Sequence, residues 1–344
     1  LKQKQIKRSL NIMDDLYLID GCTFTEGVFI GLSERVKKSL LTAFFLTTPG
    51  ESDGFRECVS KIGGLYNFAD RPDSGFIIAR TADDIVRAKK EGKKALIITF
   101  QDPQPVENSL DKLRTLYELG LRVMQMTYNK ANYIGTGCIE SADGGLTDFG
   151  REALRKMNEL GIVADVSHCG HKTTQDVLKY SEKPIVISHS CPLALTDNVR
   201  NKTDEELRML KKNGGVIGVS SWGPLCWKND TVKGRPSLAD YVDHIDYVVN
   251  LIGIDHIGYG SDSTPDDTKD EKGLLTQSSF YAPVVDGYNR AVGINPATRY
   301  AVGVDGPWDL ENVFAEMRRR GYSEEDIYKY AGGNFMRVLR ENWK

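Results

Sequence analysis

The sequence contains no run approaching the roughly 20 apolar residues that a membrane-spanning helix requires, which excludes such a helix within it. None of its six cysteines, at positions 22, 58, 138, 169, 191 and 226, pairs with another at Cys-x-x-Cys spacing. A zinc ribbon and a thioredoxin-type redox pair are excluded with that spacing. Charge of one sign is also missing. The 45 Lys and Arg nearly balance 48 Asp and Glu, leaving −3, so no nucleic acid or anionic membrane partner is expected. Two short basic runs, Lys7-Arg8 and Arg318-Arg319-Arg320, read as solvated helix ends. Residues Leu1 to Asp14 are charged and lack the apolar centre of a signal peptide. The cysteines read as reduced thiols and the location as cytoplasmic, with a leader removed ahead of residue 1 as the alternative. No internal repeat or low-complexity tract is present.

What is present suits one large domain spanning residues 1–344. At 40% hydrophobic and 27% charged residues, the chain is long enough and apolar enough to bury a sizeable core. Eight short apolar runs recur: Leu16–Asp20, Leu40–Thr47, Ala95–Phe100, Leu121–Thr127, Gly161–His168, Pro184–His189, Gly215–Ser221 and His256–Asp262. Several are apolar on both faces and rich in Val, Ile and Phe, as buried parallel strands are. Gly75–Arg80 is a ninth candidate, read as a decoration between the second and third strands. Helical patterns fill the gaps at Asn108–Leu119, Phe149–Leu160, Thr173–Tyr180, Thr203–Asn213 and Leu238–Ile252. Thr203 followed by Glu206 predicts a capping box, and Gly214 a stop. Strand–helix alternation with eight strands predicts an α/β fold, a single (β/α)8 TIM-like barrel. An open doubly wound sheet is the alternative, weakened because no GxGxxG follows the first strand. The irregular stretch Ser263–Pro307 follows the last strand and reads as a lid or side wall over the C-terminal mouth.

Barrel active sites form at the C-terminal strand ends, so the residues closing each run are the candidates. The first run closes on Asp20-Gly21-Cys22, the third on Phe100-Gln101-Asp102, and the fourth on Thr127-Tyr128-Asn129. The fifth closes on Asp165-Val166-Ser167-His168, the sixth on Ile187-Ser188-His189-Ser190, and the eighth on Gly260-Ser261-Asp262. Two of the five histidines therefore end adjacent strands, close enough to share one metal ion. His171, three residues on, is a lesser candidate, whereas His244 on a helix and His256 at a strand entry read as structural.

The fifth, sixth and eighth closing motifs, with Gly145-Leu-Thr-Asp-Phe-Gly150, Asn198-Val-Arg200-Asn201 and Gly332-Gly-Asn334-Phe-Met-Arg337-Val338, resemble the membrane-dipeptidase (renal dipeptidase) family of zinc peptidases, and the resemblance runs from about Asp20 onward. The resemblance implies a metal-dependent-hydrolase barrel. Its pattern has two zinc ions bridged by a glutamate and a water. The ligands are an H-x-D after the first strand, the bridging Glu after the third, and one His each after the fifth and sixth. The resemblance makes His168 and His189 metal ligands, Asp262 the catalytic proton shuttle and Arg200 a substrate-binding residue. The remaining positions depart from the pattern. The H-x-D positions read Cys22-Thr23-Phe24, the bridging glutamate is Gln101, and a substrate-binding histidine is Tyr128.

A dinuclear site needs anionic ligands, so the two-zinc cluster is predicted absent. One divalent ion, zinc in the first instance, is expected on His168 and His189, with Asp262, Cys22 or water completing its shell. Gln101 is a weak oxygen ligand at most, and Cys22 also reads as a small buried apolar residue. Arg200, Tyr128, Asn129 and Gln101 are expected to bind substrate, with Lys130 and Asn132 extending the wall. The leading expectation is a dipeptidase-like hydrolase of an amide bond in a small carboxylate-bearing molecule. The alternatives are an epimerase or lyase on the same scaffold and a metal-free, inactive binding protein. A homodimer is expected from the habit of the resembled family.

Overall fold

A computed structural model of the chain describes residues 16–24, 34–50, 53–228, 231–263, 278–293 and 298–344. The strands, in chain order, are β1 (Ile19–Phe24), β2 (Ala43–Thr47), β3 (Phe76–Ile78), β4 (Lys94–Phe100), β5 (Leu121–Gln125), β6 (Val163–Asp165), β7 (Val186–Ser190), β8 (Val216–Val219) and β9 (Ile257–Tyr259). All pair in parallel. Direct pairing of β2 with β4 and of β1 with β9 closes eight of them into a barrel. The expected decoration is β3, which lies beside the first residues of β4 and outside the ring.

Two-faced apolar strands serve two cores. Along β2 and β4, Ala43, Phe45, Ala95 and Ile97 face the barrel interior, while Phe44, Leu46, Leu96 and Ile98 face the surrounding helices. The interior cluster takes Ile19, Val123, Val163, Val186 and Val216 from the starts of other strands. It is completed by Phe335, Met336, Val338 and Leu339 of the terminal helix Asn334–Asn342. That helix closes the N-terminal end of the barrel. The Phe335 ring lies 5.3 Å from that of Phe45, and Asn334 Nδ2 donates to the carbonyls of Ile254 and Ile257, each at 2.7 Å. Gly332 permits this closure, because a Cβ there would overlap the Tyr17 carbonyl. With the lower end sealed by hydrocarbon, polar side chains collect at the opposite, C-terminal end.

Helix ends follow local chemistry. Thr203 and Glu206 form the expected capping box on helix Asp204–Asn213, and Gly214 ends it in the left-handed conformation. Elsewhere Ser109 and Thr147 cap helices Leu110–Glu118 and Asp148–Leu160, within two residues of the expected starts. Two expectations are corrected. The stretch 263–307 contains a helix, Ser278–Val292. Pro283 and Gly287 disguise it in the sequence, but Val284, Val285 and Tyr288 recur at helical spacing and are buried. Residues 264–277 and 294–297 of the expected lid lie outside the described residues. Arg320 is the second correction. It is not a solvated helix end but is largely buried, bonded to Asp243 at 2.7 Å, Asp246 at 2.6 Å and Glu316 at 2.8 Å. Among the described residues no helix is long and apolar enough to cross a membrane.

Phe335→Ala should leave a void where the terminal helix meets the barrel interior. The expected cost is about 3–5 kcal/mol, read as a lowered denaturation midpoint in urea. An unchanged midpoint would mean that the helix does not seal the barrel.

Candidate active site

Two β-bulges shape the barrel mouth. The register of β1 on β2 shifts between Asp20 and Thr23, and that of β7 on β8 shifts between Ile187 and Ser190. A bulge re-aims the side chains it carries, here Cys22 and His189. Beside each bulge lies a buried carboxylate that accepts two backbone N–H groups on one oxygen and a serine hydroxyl on the other. Asp20 Oδ1 accepts the backbone N–H of Cys22 at 3.2 Å and of Ser261 at 2.7 Å, while Oδ2 accepts the Ser261 hydroxyl at 2.5 Å. Asp165 Oδ1 accepts the N–H of Ser167 at 3.0 Å and of Ser188 at 3.1 Å, while Oδ2 accepts the Ser188 hydroxyl at 2.5 Å. The residue after each serine faces the mouth: Asp262 after Ser261, His189 after Ser188. Burial raises the Asp20 carboxyl to about 6 despite these donors. A Cβ on Gly21, Gly218 or Gly260 would overlap the Ser188 carbonyl, so these strands close on β7 only without side chains there.

The hydrogen bonds behind the two histidines determine which nitrogen carries the proton. His168 Nδ1 lies 2.7 Å from the amide oxygen of Asn129, which can only accept, so Nδ1 donates. The Ser188 hydroxyl gives its proton to Asp165, so His189 Nδ1 donates to Ser188 Oγ at 2.8 Å. Both Nε2 atoms are left as bare lone pairs, and they face each other at 3.0 Å. Burial keeps both rings neutral, lowering His189 to about 4 and His168 well below the usual range. Two lone pairs at this separation repel unless an electrophile sits between them. A zinc ion bonded to both at 2.0–2.1 Å in tetrahedral geometry would hold the nitrogens about 3.3 Å apart. The pair therefore fits a metal ion with only a small opening.

Cys22 Sγ, His189 Nε2 or Nδ1 and an Asp262 carboxylate oxygen lie within 4.8 Å of one another. The Cys22 thiol donates to Asp262 Oδ1 at 3.6 Å and accepts from Gln101 Nε2 at 3.1 Å. Burial and the nearby carboxylates, Asp262 first, push this thiol well above its usual value. His168 adjoins the group through His189. Asp262 adopts a left-handed backbone with φ of 54°, uncommon outside glycine but tolerated by Asp. The Tyr300 hydroxyl secures that turn by donating to the Asp262 carbonyl at 2.9 Å.

Gln101 also donates to Thr47 Oγ1 at 2.8 Å. The Tyr128 ring stacks on His168, with centroids 4.1 Å apart and planes 21° from parallel. Asn129, expected to face substrate, is fully buried behind His168. Arg200 is also buried. Its Nε and Nη2 donate to the carbonyls of Ser167 and His189, both at 3.3 Å. His171 lies apart, bonded to the buried Glu206 at 3.0 Å. His244 bridges Thr196 and the Asp240 carbonyl, and His256 bonds the Gly215 carbonyl, both structural as expected. Asp20, Asp165, Ser188 and Ser261 close candidate runs but carry no assigned role in the sequence reading, and Tyr300 is not expected in the site. The available signal was the repeated pattern of a strand-ending Asp with a Ser directly before a candidate ligand on the neighbouring strand.

A family model described as membrane dipeptidase (peptidase family M19) matches residues 32–286. The chain is 32% identical to dipeptidase tcpJ of Claviceps purpurea (strain 20.1) over 289 residues, covering 83% of this chain and 60% of that protein. It is 36% identical to the uncharacterized dipeptidase C965.12 of Schizosaccharomyces pombe over 187 residues, covering 53% of this chain and 44% of the relative. The chain thus spans about half the length of these curated relatives. Among solved structures it resembles an amidohydrolase from Pseudomonas aeruginosa at 32% identity and a TM-score of 0.81, covering 97% of this chain and 99% of the other. A Rhodobacter sphaeroides metallopeptidase, liganded with a phosphinate mimic of the dipeptide L-Ala-D-Ala, shares the fold at 20% identity and a TM-score of 0.77, covering 95% of this chain and 99% of the other.

The buried histidines make stability pH-dependent in a defined direction. His189 at about 4 lies below the unfolded histidine value, so the unfolded chain binds its proton more readily. Its contribution is present above about pH 6.5 and is lost as the pH falls toward 4. Asp20, raised to about 6, works oppositely and gains stability over the same fall, so the bulk curve hides both. The informative quantity is the difference in unfolding free energy between metal-free chain and metal-free His189→Gln. It should shrink by about 3 kcal/mol between pH 7.5 and 4. A pH-independent difference would show that His189 is not held neutral by burial.

Proposed function

The chain belongs to the membrane dipeptidase family, and from that we propose that it is a dipeptidase-like hydrolase of an amide bond in a small, carboxylate-bearing substrate, using one divalent metal ion. The observation that carries this reading is the pair of neutral imidazoles whose bare Nε2 atoms face each other at 3.0 Å beside the Asp262 carboxylate. His168 and His189 would hold the ion, zinc by preference for nitrogen ligands. A bound ion supplies polarisation of the scissile carbonyl and acidification of water. Asp262 takes the proton from the attacking water and delivers it to the leaving nitrogen. Its left-handed turn and the Tyr300 bond hold the carboxylate toward His189.

Arg200 is the carboxylate anchor in this reading. Two of its nitrogens are engaged by backbone, and Nη1 takes part in no hydrogen bond among the described residues. Gln101 and Tyr128 contribute neutral contacts, Tyr128 by its face against His168. Asn129 acts on substrate only through His168, whose orientation it holds. A second ion is not expected, because Gln101 is neutral and Phe24 offers no donor atom. The dipeptide mimic bound by the Rhodobacter enzyme and the names of the fungal relatives point to dipeptides as the first substrates to try. A homodimer and a reducing, cytoplasmic location complete the proposal, the latter favoured by six cysteines without a disulfide.

Elemental analysis of the purified chain before and after zinc loading should find one equivalent, lost in His168→Ala and His189→Ala. Gln101→Glu should not add a second. Asp262→Asn should keep the ion and lower kcat on a dipeptide substrate by about 10²–10⁴-fold. Failure to hold any ion after loading would overturn the hydrolase reading in favour of a metal-free binding protein. Undiminished turnover in Asp262→Asn would remove the proposed proton carrier.

A further inference from the structure

Cys22 stands where the resembled family's pattern has a histidine ligand, and the bulge in β1 turns it to the mouth of the barrel. Its sulfur lies among the atoms that would surround an ion at His189, all within 4.8 Å of one another. Cys22 Sγ and Asp262 Oδ1 are 3.6 Å apart. Gln101 supplies a third observation. Its Nε2, held by Thr47, donates to Sγ at 3.1 Å, a contact that strengthens when the sulfur becomes a thiolate.

Burial and the carboxylates, which together hold the Cys22 thiol protonated in the metal-free chain, would be outweighed by a dication. A carboxylate at position 101 would repel a thiolate at this distance, whereas the amide favours one. A thiolate at Cys22 and the carboxylate of Asp262 together neutralise one dication. Resting on the one-ion reading above, we infer that Cys22 is a thiolate ligand of that ion, so that the site is a mononuclear, thiophilic Cys–His centre. On ion entry the S–H bond breaks and a sulfur–metal bond forms. The proton passes to Asp262 Oδ1, which already accepts it as a hydrogen bond, and then to solvent. Sulfur ligation makes the centre selective for zinc, cobalt or cadmium over magnesium and calcium.

The test is the absorption spectrum of the full chain titrated with Co(II), beside Cys22→Ser and His189→Ala. Thiolate bound to Co(II) gives a near-ultraviolet charge-transfer band that nitrogen and oxygen ligands do not. The unmodified chain should show this band at one equivalent, an observation that needs no variant to fold. Cys22→Ser should lack the band and bind Co(II) at least about tenfold more weakly, with its thermal melt recorded to confirm folding. Bound Co(II) without the band, or a band that persists in Cys22→Ser, overturns the Cys22 assignment and leaves the histidine-held ion standing. Absence of Co(II) binding in the unmodified chain overturns both.

Discussion

The mouth of this barrel depends on two buried carboxylates. Burying a charged group costs several kcal/mol unless its oxygens are fully supplied with donors. Asp20 and Asp165 meet that requirement in the same way, each spending one oxygen on two backbone N–H groups from different strands. Each therefore ties β1 to the residues after β9, or β7 to the residues after β6, on a strand that carries a bulge against its other neighbour, β2 or β8. A bulge leaves backbone groups unpaired; here the N–H of Cys22 and of Ser188 lie in the bulges and are bound by the carboxylates. The distortion that aims Cys22 and His189 inward and the charge that stabilises it are parts of one structure.

The consequence extends to the lone pairs. From Asp165 the donor direction is fixed through the Ser188 hydroxyl to His189 Nδ1, and from Asn129 to His168 Nδ1. Each step is an assignment forced by which partner can only accept. The outcome is a pair of neutral donors pointed at a common position. Arg200 reinforces it from below by holding the carbonyls of Ser167 and His189. Partners behind a metal-binding histidine commonly set its tautomer. In this chain one partner is anionic and relayed by a serine while the other is a neutral amide, so the two imidazoles are not equivalent in basicity.

Much of this was legible in the sequence. Eight two-faced apolar runs predicted the barrel because strands buried on both sides cannot afford polar alternation. Polar residues closing those runs led to His168, His189 and Asp262, and the Thr203–Glu206 spacing predicted its capping box. What stayed hidden had physical causes. Helix Ser278–Val292 was masked by Pro283 and Gly287, whose penalties are outweighed by burial of Val284, Val285 and Tyr288. Asp20 and Asp165 could not be told from pocket carboxylates, because a bulge changes the alternation of faces and leaves no mark in composition. Position at a strand end likewise does not reveal that the buried Asn129 amide turns its oxygen to His168.

The position of Cys22 relative to Asp262 follows from a single atom. Asp20 Oδ1 accepts the N–H of Cys22 and of Ser261 together, and Ser261 directly precedes Asp262. The backbone on both sides of the site is thereby referred to one oxygen. Side chains at positions 22 and 262 can then differ in chemistry without differing in place. A scaffold of this kind separates where a ligand stands from what the ligand is. Sulfur in place of nitrogen at position 22, or amide in place of carboxylate at position 101, would change the charge and softness of any donor set presented there. The carboxylate, serine and glycine framework that holds these positions is built from backbone contacts and does not use the side chains at 22 and 101.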